Sequence, residues 1–290
     1  MARRIVLVAA VLVGLLKTLE ASEPSGQIAF TSRGAIHVMN ADGSAQTRLV
    51  DGVYPAWSPN GTRIAFWRRA GLSIMDRDGS SVVTLSEAID WCGGRPAFSP
   101  DGQEILFAGR AGGECFLYIM DVIPSSPARQ IQLLPSDQND RAYHGAPAWS
   151  PDGSSILFEF SRPSQYESSV PGAPRLPATP DLYRASIDGR DITKLTDDIG
   201  MNESAVWSPD GLRIAFYSRR VDGEGIYVMN VDGSNVQLLS PSWAIDWEPS
   251  WSPDGEWIAF GSSQSRQSQD IFIMRADGSG VTNLTESRPG

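Results

Sequence analysis

WSPDG at residues 251–255, followed by IAF at residues 258–260, is the stretch of sequence that decides the fold. Proline presets the backbone angle of a type I turn, aspartate follows it, and glycine takes the left-handed position that ends a short hairpin loop. After the turn, Ile258 and Phe260 lie on one face of a strand and Ala259 lies on the other. The stretch therefore predicts two antiparallel strands joined by a tight turn.

This stretch recurs along the chain. The copies stand at residues 57–61 (WSPNG), 98–102 (FSPDG), 149–153, 207–211 and 251–255. A second phrase follows each copy, an apolar run that in most copies leads into Asp-Gly, as in IYVMNVDGS at residues 226–234. It predicts a second pair of strands. Each repeat of about 40–60 residues therefore supplies four short antiparallel strands, as the blades of a propeller do.

The repeats predict an all-β fold, a six-bladed β-propeller with four antiparallel strands in each blade. Five repeats are complete. The sixth, residues 27–49, has the last three strands of a blade but no first strand, and the residues after 285 offer no replacement. We therefore expect the first blade to be incomplete, either as a three-stranded blade or because the chain is part of a longer one.

Residues 1–21 have a different character. Arg3 and Arg4 precede an unbroken apolar run at residues 5–16, and Ala21 is a small residue suited to cleavage. This is the layout of a secretory signal peptide, and the run is shorter than the roughly 20 residues that a membrane span needs. We therefore expect an exported protein, periplasmic or secreted, that meets the membrane only transiently through its signal peptide. An uncleaved anchor is the alternative.

The charge of the chain limits its partners. The formal net charge is −10, and residues 1–21 contain three basic residues and one acidic residue, so their removal makes the chain more acidic. Nucleic acid is bound through basic faces, and we do not expect it as a partner. Residues 22–290 are predicted to form a single, monomeric propeller domain.

Loop lengths indicate where binding occurs. Because the strands of a blade alternate in direction, the WSPDG and Asp-Gly turns lie on one face of the propeller, and the remaining loops lie on the other. Most of the variation in length is on that second face, at residues 86–95, 111–115, 135–146 and 161–180. Variable loops on a rigid scaffold are where binding usually occurs. The longest, 161–180, contains five prolines, and we interpret it as a surface insertion or a lid.

The segments that enter each first strand converge on the predicted axis. They contribute a ring of polar and aromatic residues, with Asp90 and Trp91 slightly further out: Tyr54, Arg95, Tyr143, His144, Asn202, Glu203, Asp246, Trp247 and Glu248. We expect a basic or amphipathic segment of a partner to enter this mouth, with Trp247 as an apolar anchor and the acids as acceptors. The letters AIDW occur at 88–91 and again at 244–247. That repetition fits either recognition by exposed tryptophans or inherited duplication with packed ones.

The chain contains two cysteines, Cys92 and Cys115. Both are predicted at the loop end of one blade, which favours a disulfide in an exported protein, with two free thiols as the alternative. The two histidines, His37 and His144, show no zinc spacing with them. No nucleophile elbow, phosphate loop or dinucleotide fingerprint occurs, so we expect no catalytic residue, metal or cofactor. Calcium at the aspartate-rich turns is left open, because turn geometry explains those aspartates.

The repeated motifs of the chain resemble those of a known family. APAWSPDG at residues 146–153, EPSWSPDG at residues 248–255 and DIFIMRADGS at residues 270–279 are similar to the TolB-like propeller repeat, which is related to WD-repeat propellers. The resemblance covers nearly all of residues 27–285. It implies a six-bladed propeller of the bacterial envelope, periplasmic in location, that binds partner proteins. Related repeats occur in the propellers of prolyl oligopeptidase-like hydrolases.

The sequence therefore predicts an exported, non-catalytic binding module. Its partner would be a protein or peptide recognised at the channel mouth, in a scaffold role at the cell envelope. The alternative is a propeller-type enzyme, or the separated propeller domain of a peptidase or polysaccharide-processing protein.

Overall fold

The computed structural model describes residues 24–87, 89–111, 114–131, 133, 143–161, 179–196, 200–220, 223–240, 245–265 and 268–285. Within these ranges the chain forms six small antiparallel sheets and no helix, so the predicted six-bladed propeller is confirmed. The described residues include no helix long and apolar enough to cross a membrane. The predicted signal peptide, residues 1–21, lies outside the described ranges.

The strands follow one another blade by blade. Blade 1 contains β1 (Gln27–Ser32), β2 (Ala35–Asn40) and β3 (Thr47–Asp51). Blade 2 contains β4 (Val53–Trp57), β5 (Arg63–Arg68), β6 (Gly71–Asp76) and β7 (Val83–Ser86). Blade 3 contains β8 (Asp90–Trp91), β9 (Ala97–Phe98), β10 (Glu104–Ala111), β11 (Glu114–Asp121) and β12 (Arg129–Gln130).

The last three blades repeat the pattern. Blade 4 contains β13 (Tyr143–Trp149), β14 (Ser155–Ser161), β15 (Asp181–Ser186) and β16 (Thr193–Lys194). Blade 5 contains β17 (Met201–Trp207), β18 (Arg213–Arg220), β19 (Gly223–Asn230) and β20 (Gln237–Leu238). Blade 6 contains β21 (Ile245–Trp251), β22 (Trp257–Ser265), β23 (Ser268–Arg275) and β24 (Thr282–Asn283).

Each WSPDG turn is closed by its own side chains, as the turn at residues 207–211 illustrates. The Ser208 hydroxyl donates to Asp210 and accepts a hydrogen bond of 2.9 Å from the Arg213 amide across the hairpin. The Gly211 amide donates to the Ser208 carbonyl, and Gly211 has a φ of 71° that favours glycine. The motif letters are therefore explained by the hydrogen bonds that the turn needs.

The core lies between the blades. In every blade the second strand of the complete pattern carries one phenylalanine that is no more than 2% exposed. These residues are Phe30, Phe66, Phe107, Phe158, Phe216 and Phe260. Each belongs to one of the apolar clusters that join a blade to its neighbour. The triplet Ile-Ala-Phe or Ile-Leu-Phe, written I-A/L-F below, thus supplies apolar side chains to both faces of each blade.

Two blades depart from the four-stranded pattern. Blade 1 has three strands, as its sequence predicts, and its β1 takes the place of a second strand. Phe30 shares an apolar cluster with Ile271 of blade 6, and Ala29 shares one with Trp57 of blade 2, so apolar packing closes the ring at this blade. In blade 3 the inner strand is split into β8 and β9, which both pair with β10.

Candidate functional site

The blade connections and the loops between second and third strands lie together at one end of the propeller, here called the loop face. The WSPDG and Asp-Gly turns occupy the opposite end, the turn face. In four blades the inner strand has a register shift near the loop face. The residue in each shift has a positive φ: Tyr54 (59°), Ala146 (37°), Ser204 (58°) and Glu248 (53°). Such angles cost roughly 1–3 kcal/mol outside glycine and persist only where neighbouring groups hold them.

Side chains of the preceding blade accept hydrogen bonds from the backbone of two of these positive-φ residues. The Tyr54 amide donates to the Thr31 hydroxyl at 3.0 Å, and the Ser204 amide donates to the Glu159 carboxyl at 2.6 Å. Thr31 and Glu159 occupy the same position, directly after the phenylalanine of I-A/L-F. One position of the repeat therefore shapes the inner strand of the next blade, and in blade 4 it also places a carboxyl there.

Three carboxyl groups are gathered around this part of the axis. Glu159 is 4% exposed, and burial, followed by repulsion from Glu203, raises its pKa to about 8. Burial likewise raises the pKa of Glu248 to about 8, with Arg95 opposing the rise and Glu159 and Glu203 adding to it. Burial also raises the pKa of Glu203. At neutral pH the protonated forms of Glu159 and Glu248 therefore predominate, and these forms can donate hydrogen bonds.

Arg95 is the cation of this group. Burial lowers the pKa of its guanidinium to about 10, and Glu248 opposes that shift. Within the described part of the chain, its guanidinium makes one hydrogen bond, which it donates to the Pro249 carbonyl of blade 6 at 3.4 Å. Arg95 forms no ion pair, with a cut-off of 4.0 Å between nitrogen and oxygen, with any carboxylate of the described residues. The Glu248 Oε2 atom is buried and has no hydrogen-bond partner among the described residues.

An aromatic pair is the next part of the site, and its Tyr54 lies near Glu248 and Glu159. The rings of Tyr54 and Trp91 stack with centroids 4.9 Å apart. Trp91 is 42% exposed, and its indole donates to the Gly94 carbonyl at 3.0 Å. Burial, followed by the nearby Glu248 and Glu159, raises the pKa of Tyr54 to about 12. The pair offers a partner a flat apolar surface with the carboxyl groups close by.

A disulfide lies next to this pair. Cys92 and Cys115 are bonded, with their Cα atoms 5.8 Å apart, and so connect the segment after β8 to the start of β11. Cys92 directly follows Trp91, and Gly93 and Gly94 follow it with φ of 140° and 65°. The disulfide therefore restrains a segment that is otherwise rich in glycine.

The other residues of the predicted ring lie in different surroundings. Asn202 is fully buried and accepts hydrogen bonds from Ser218 and Arg220, inside blade 5. Asp246 is 1% exposed, burial raises its pKa, and both of its carboxyl oxygens are buried without a hydrogen-bond partner among the described residues. Asn202 therefore stabilises blade 5 from within, and both residues are buried beneath the mouth.

Trp247, Asp90, Tyr143 and His144 complete the predicted set. Trp247 is half-buried and packs against the apolar cluster that joins blades 5 and 6. Asp90 is exposed in β8 and is paired in register with Arg110. Tyr143 and His144 lie in β13, and their side chains are outside the described part of the structure. Trp91 and Trp247 therefore differ in exposure although they share the letters AIDW.

Sequence reasoning missed Glu159. Its signal was present in the repeat, because the six residues that follow the second-strand phenylalanine include only one with a charge. They are Thr31, Trp67, Ala108, Glu159, Tyr217 and Gly261. Tyr217 was missed at the same position, and its hydroxyl donates to Glu224 at 2.6 Å. Alignment of the second strands, in addition to the first, would have identified both residues.

No metal site is evident in the described ranges. They contain no group of three or more histidine, cysteine, aspartate or glutamate side chains arranged to hold a metal ion. The gathered carboxyls and Arg95 can instead offer hydrogen bonds and charge to a polar or cationic group that enters the channel.

Comparisons with known proteins agree with this architecture. The family model described as "TolB beta propeller domain" matches residues 25–170 and 177–288. The uncharacterized protein Atu1656 of Agrobacterium fabrum is 28% identical over 130 residues, which are 44% of this chain and 37% of that protein. The chain thus spans little more than a third of that relative's length.

Two solved structures are similar over most of the chain. One is TolB from Acinetobacter baumannii, with a TM-score of 0.65 and 19% identity, covering 86% of this chain and 59% of that one. The other is a putative TolB from Agrobacterium tumefaciens, with a TM-score of 0.64 and 24% identity, covering 83% of this chain and 84% of that one. At these identities the likeness concerns the fold.

Proposed function

We propose that this chain, which belongs to the TolB beta propeller family, is an exported, non-catalytic binding module. Its site is the mouth of the channel on the loop face, and its partner is a protein or peptide of the cell envelope. The observation that carries the proposal is the Trp91–Tyr54 stack, in which the indole is exposed and the tyrosine lies near Glu248 and Glu159. Large aromatic side chains dominate the free energy of binding at many protein interfaces.

The charges at the mouth favour a basic or amphipathic segment. Glu159, Glu203 and Glu248 are held near one another with raised pKa values, so an entering ammonium or guanidinium would stabilise their ionised forms. Binding of such a segment should release protons. Its affinity should therefore rise with pH up to about 8 and fall with added salt.

The aromatic anchors can be tested with a matched pair of variants. Trp91→Ala removes the exposed indole of the loop face, whereas Leu212→Ala removes a 65% exposed apolar side chain in a turn of the opposite face. A partner captured from envelope extracts by the native protein should bind Trp91→Ala at least about tenfold more weakly, a loss of about 1.4 kcal/mol. Leu212→Ala should bind it with unchanged affinity.

Trp247→Ala is expected to lower the affinity for the same partner by roughly tenfold. Because Trp247 also packs against the cluster between blades 5 and 6, the unfolding of this variant has to be measured beside its affinity. Unchanged affinity of Trp91→Ala, or a loss confined to Leu212→Ala, would overturn the placement of the site on the loop face.

A further inference from the structure

The inner edge of β1 has no partner strand in the described part of the chain. In the other five blades the middle residue of I-A/L-F pairs in register with the inner strand. These middle residues are Ala65, Leu106, Leu157, Ala215 and Ala259. Their counterpart in blade 1 is Ala29, and β1 pairs only with β2 among the described strands. One strand position beside the channel is therefore not accounted for.

The backbone of β1 directs hydrogen-bonding groups to that position. The turn between β1 and β2 has two residues with positive φ, 52° and 76°, so the pair that flanks it, Ser32 and Ala35, is hydrogen-bonded. Hydrogen-bonded pairs alternate with non-hydrogen-bonded pairs along an antiparallel ladder. Counting back from Ser32, the N–H and C=O groups of Ala29 and Thr31 therefore point away from β2, to the inner edge.

This edge is buried although no described strand pairs with it. Ala29 and Thr31 are 0% and 1% exposed, which matches the 0% exposure of Ala215 behind its inner strand in blade 5. Buried N–H and C=O groups are nearly always hydrogen-bonded. The inner edge of β1 therefore requires a further strand.

The chain reaches β1 along the path that a complete blade uses. The carbonyl of Gly26, two residues before Ile28, accepts from the Ala41 amide at 3.0 Å. In blade 5 the equivalent carbonyl, that of Leu212, accepts from the Val231 amide at 3.1 Å. The chain before Gly26 therefore arrives from the turn face, where an inner strand would end. Sequential strands usually lie next to each other, so the segment directly before this turn is the occupant that the connectivity favours.

We propose that residues 15–21 (LLKTLEA) supply the missing inner strand of blade 1. In every complete blade the motif aromatic lies seven residues before the isoleucine of the triplet, as Trp207 does before Ile214. The same spacing from Ile28 ends the strand at Ala21. A strand of seven residues, the length of β13, β17 and β21, then begins at Leu15. The last part of the predicted signal peptide thereby has a place in the fold.

The strand also completes the mouth of the channel. Four residues before its end is Lys17, at the position that Glu203 has in blade 5 and Trp247 has in blade 6. A basic residue of the chain itself thus joins the ring at which we place the partner, and this consequence alone rests on the proposed function. The tests that follow measure the strand and need no partner, so their failure would leave the proposed function standing.

Register-specific cross-linking tests the pairing. In blades 4, 5 and 6 the residue five before the motif aromatic pairs with the second residue after the phenylalanine of the triplet, and the same register pairs Leu16 with Ser32. Because Ser32 is hydrogen-bonded to β2, its pair with Leu16 is a non-hydrogen-bonded one, in which the side chains are close enough for a disulfide.

Leu16→Cys combined with Ser32→Cys should therefore form a disulfide on mild oxidation of the full chain. Leu16→Cys combined with Ser44→Cys is the matched control, because Ser44 is exposed in the Asp-Gly turn of the same blade, at the opposite end. Intact mass confirms that residue 16 is present, and peptide mapping separates the new bond from Cys92–Cys115. No disulfide between positions 16 and 32, or equal yields in the two variants, would overturn the proposal.

Two proline variants test the hydrogen bonds of the strand. The register pairs Glu20 with Ala29, as Val206 pairs with Ala215, so the Glu20 amide donates to β1 and the Ala21 amide points to the channel. Proline removes the amide donor. Glu20→Pro should lower the melting temperature of the full chain by at least about 3 °C, whereas Ala21→Pro should change it by less than about 1 °C. Equal melting temperatures for the two variants would refute the pairing.

The N-terminus of the exported protein gives the last test. The layout of the signal peptide predicts a cut after Ala21, which would remove the whole strand. Our proposal instead predicts that folded, exported protein retains residues 15–21, so that its first residue is Leu15 or an earlier one. Intact mass measurement distinguishes the two. Folded protein that begins at Ser22 would overturn the proposal.

Discussion

The buried carboxyl of Glu159 should make the free energy of unfolding depend on pH. Burial and the neighbouring Glu203 raise its pKa from 4.5 to about 8 in the folded protein. Between these two values the folded protein retains a proton that the unfolded chain has released. The stability linked to Glu159 is therefore fully present below about pH 4.5 and is lost progressively as the pH rises to about 8.

The magnitude follows from the size of the shift. Each pKa unit corresponds to about 1.4 kcal/mol, so Glu159 lowers the free energy of unfolding by up to about 5 kcal/mol across this window. Glu248 acts in the same direction because its pKa is also raised to about 8. Part of that rise comes from Glu159 itself, so the effects of the two carboxyls are not additive.

Glu159→Gln removes the titration while it keeps an amide oxygen that can accept from the Ser204 amide. Urea unfolding is measured from about pH 5.5 to about pH 8.5. The native protein should lose stability with rising pH, and the slope for the variant should be shallower by up to about 1.4 kcal/mol per pH unit below pH 8. Glu87→Gln, at an exposed position, controls for the change in net charge. Parallel slopes for Glu159→Gln and the native protein would refute the reasoning.

Three further predictions concern the scaffold. Limited proteolysis should cut first within residues 161–180, since proline density and the lack of apolar periodicity predict an unpacked insertion. Residues 162–178 lie outside the described structure. A first cut elsewhere in the chain would contradict the prediction. Thiol titration of denatured, unreduced protein should find no free thiol, and reduction of Cys92–Cys115 should cost about 3 kcal/mol of stability, whereas two thiols per chain would refute the disulfide. Ser208→Ala should cost about 1–3 kcal/mol because it leaves the Arg213 amide unpaired; an unchanged melting temperature would argue against the turn network.

The architecture could be predicted from sequence because its determinants are local and repeated. The turn at residues 207–211 needs serine, aspartate and glycine for its own hydrogen bonds, and the following I-A/L-F places one phenylalanine in the core. Five copies in one order leave few alternatives to a propeller. The three-stranded blade 1 was predictable for the same reason, since one motif is missing from residues 27–49.

The site was less predictable because it depends on neighbouring blades. The positive φ of Tyr54 and of Ser204 is held by side chains of the preceding blade, which lie well before them in sequence. The same four letters give an exposed Trp91 and a half-buried Trp247. Trp91 lies in an inner strand that is split in two, whereas Trp247 lies in a continuous strand beside an apolar cluster. The four letters AIDW alone therefore could not predict that the two tryptophans differ in exposure.

The central claim is that the partner binds at the loop face, beside Trp91. The most direct measurement places a photoactivatable amino acid at position 90, which is exposed and next to Trp91, in one protein and at position 212 in another, and then irradiates cells that produce each of them. The account predicts a cross-linked partner from position 90 and none from position 212, at the exposed turn of the opposite face. Cross-linking from position 212 alone would contradict it.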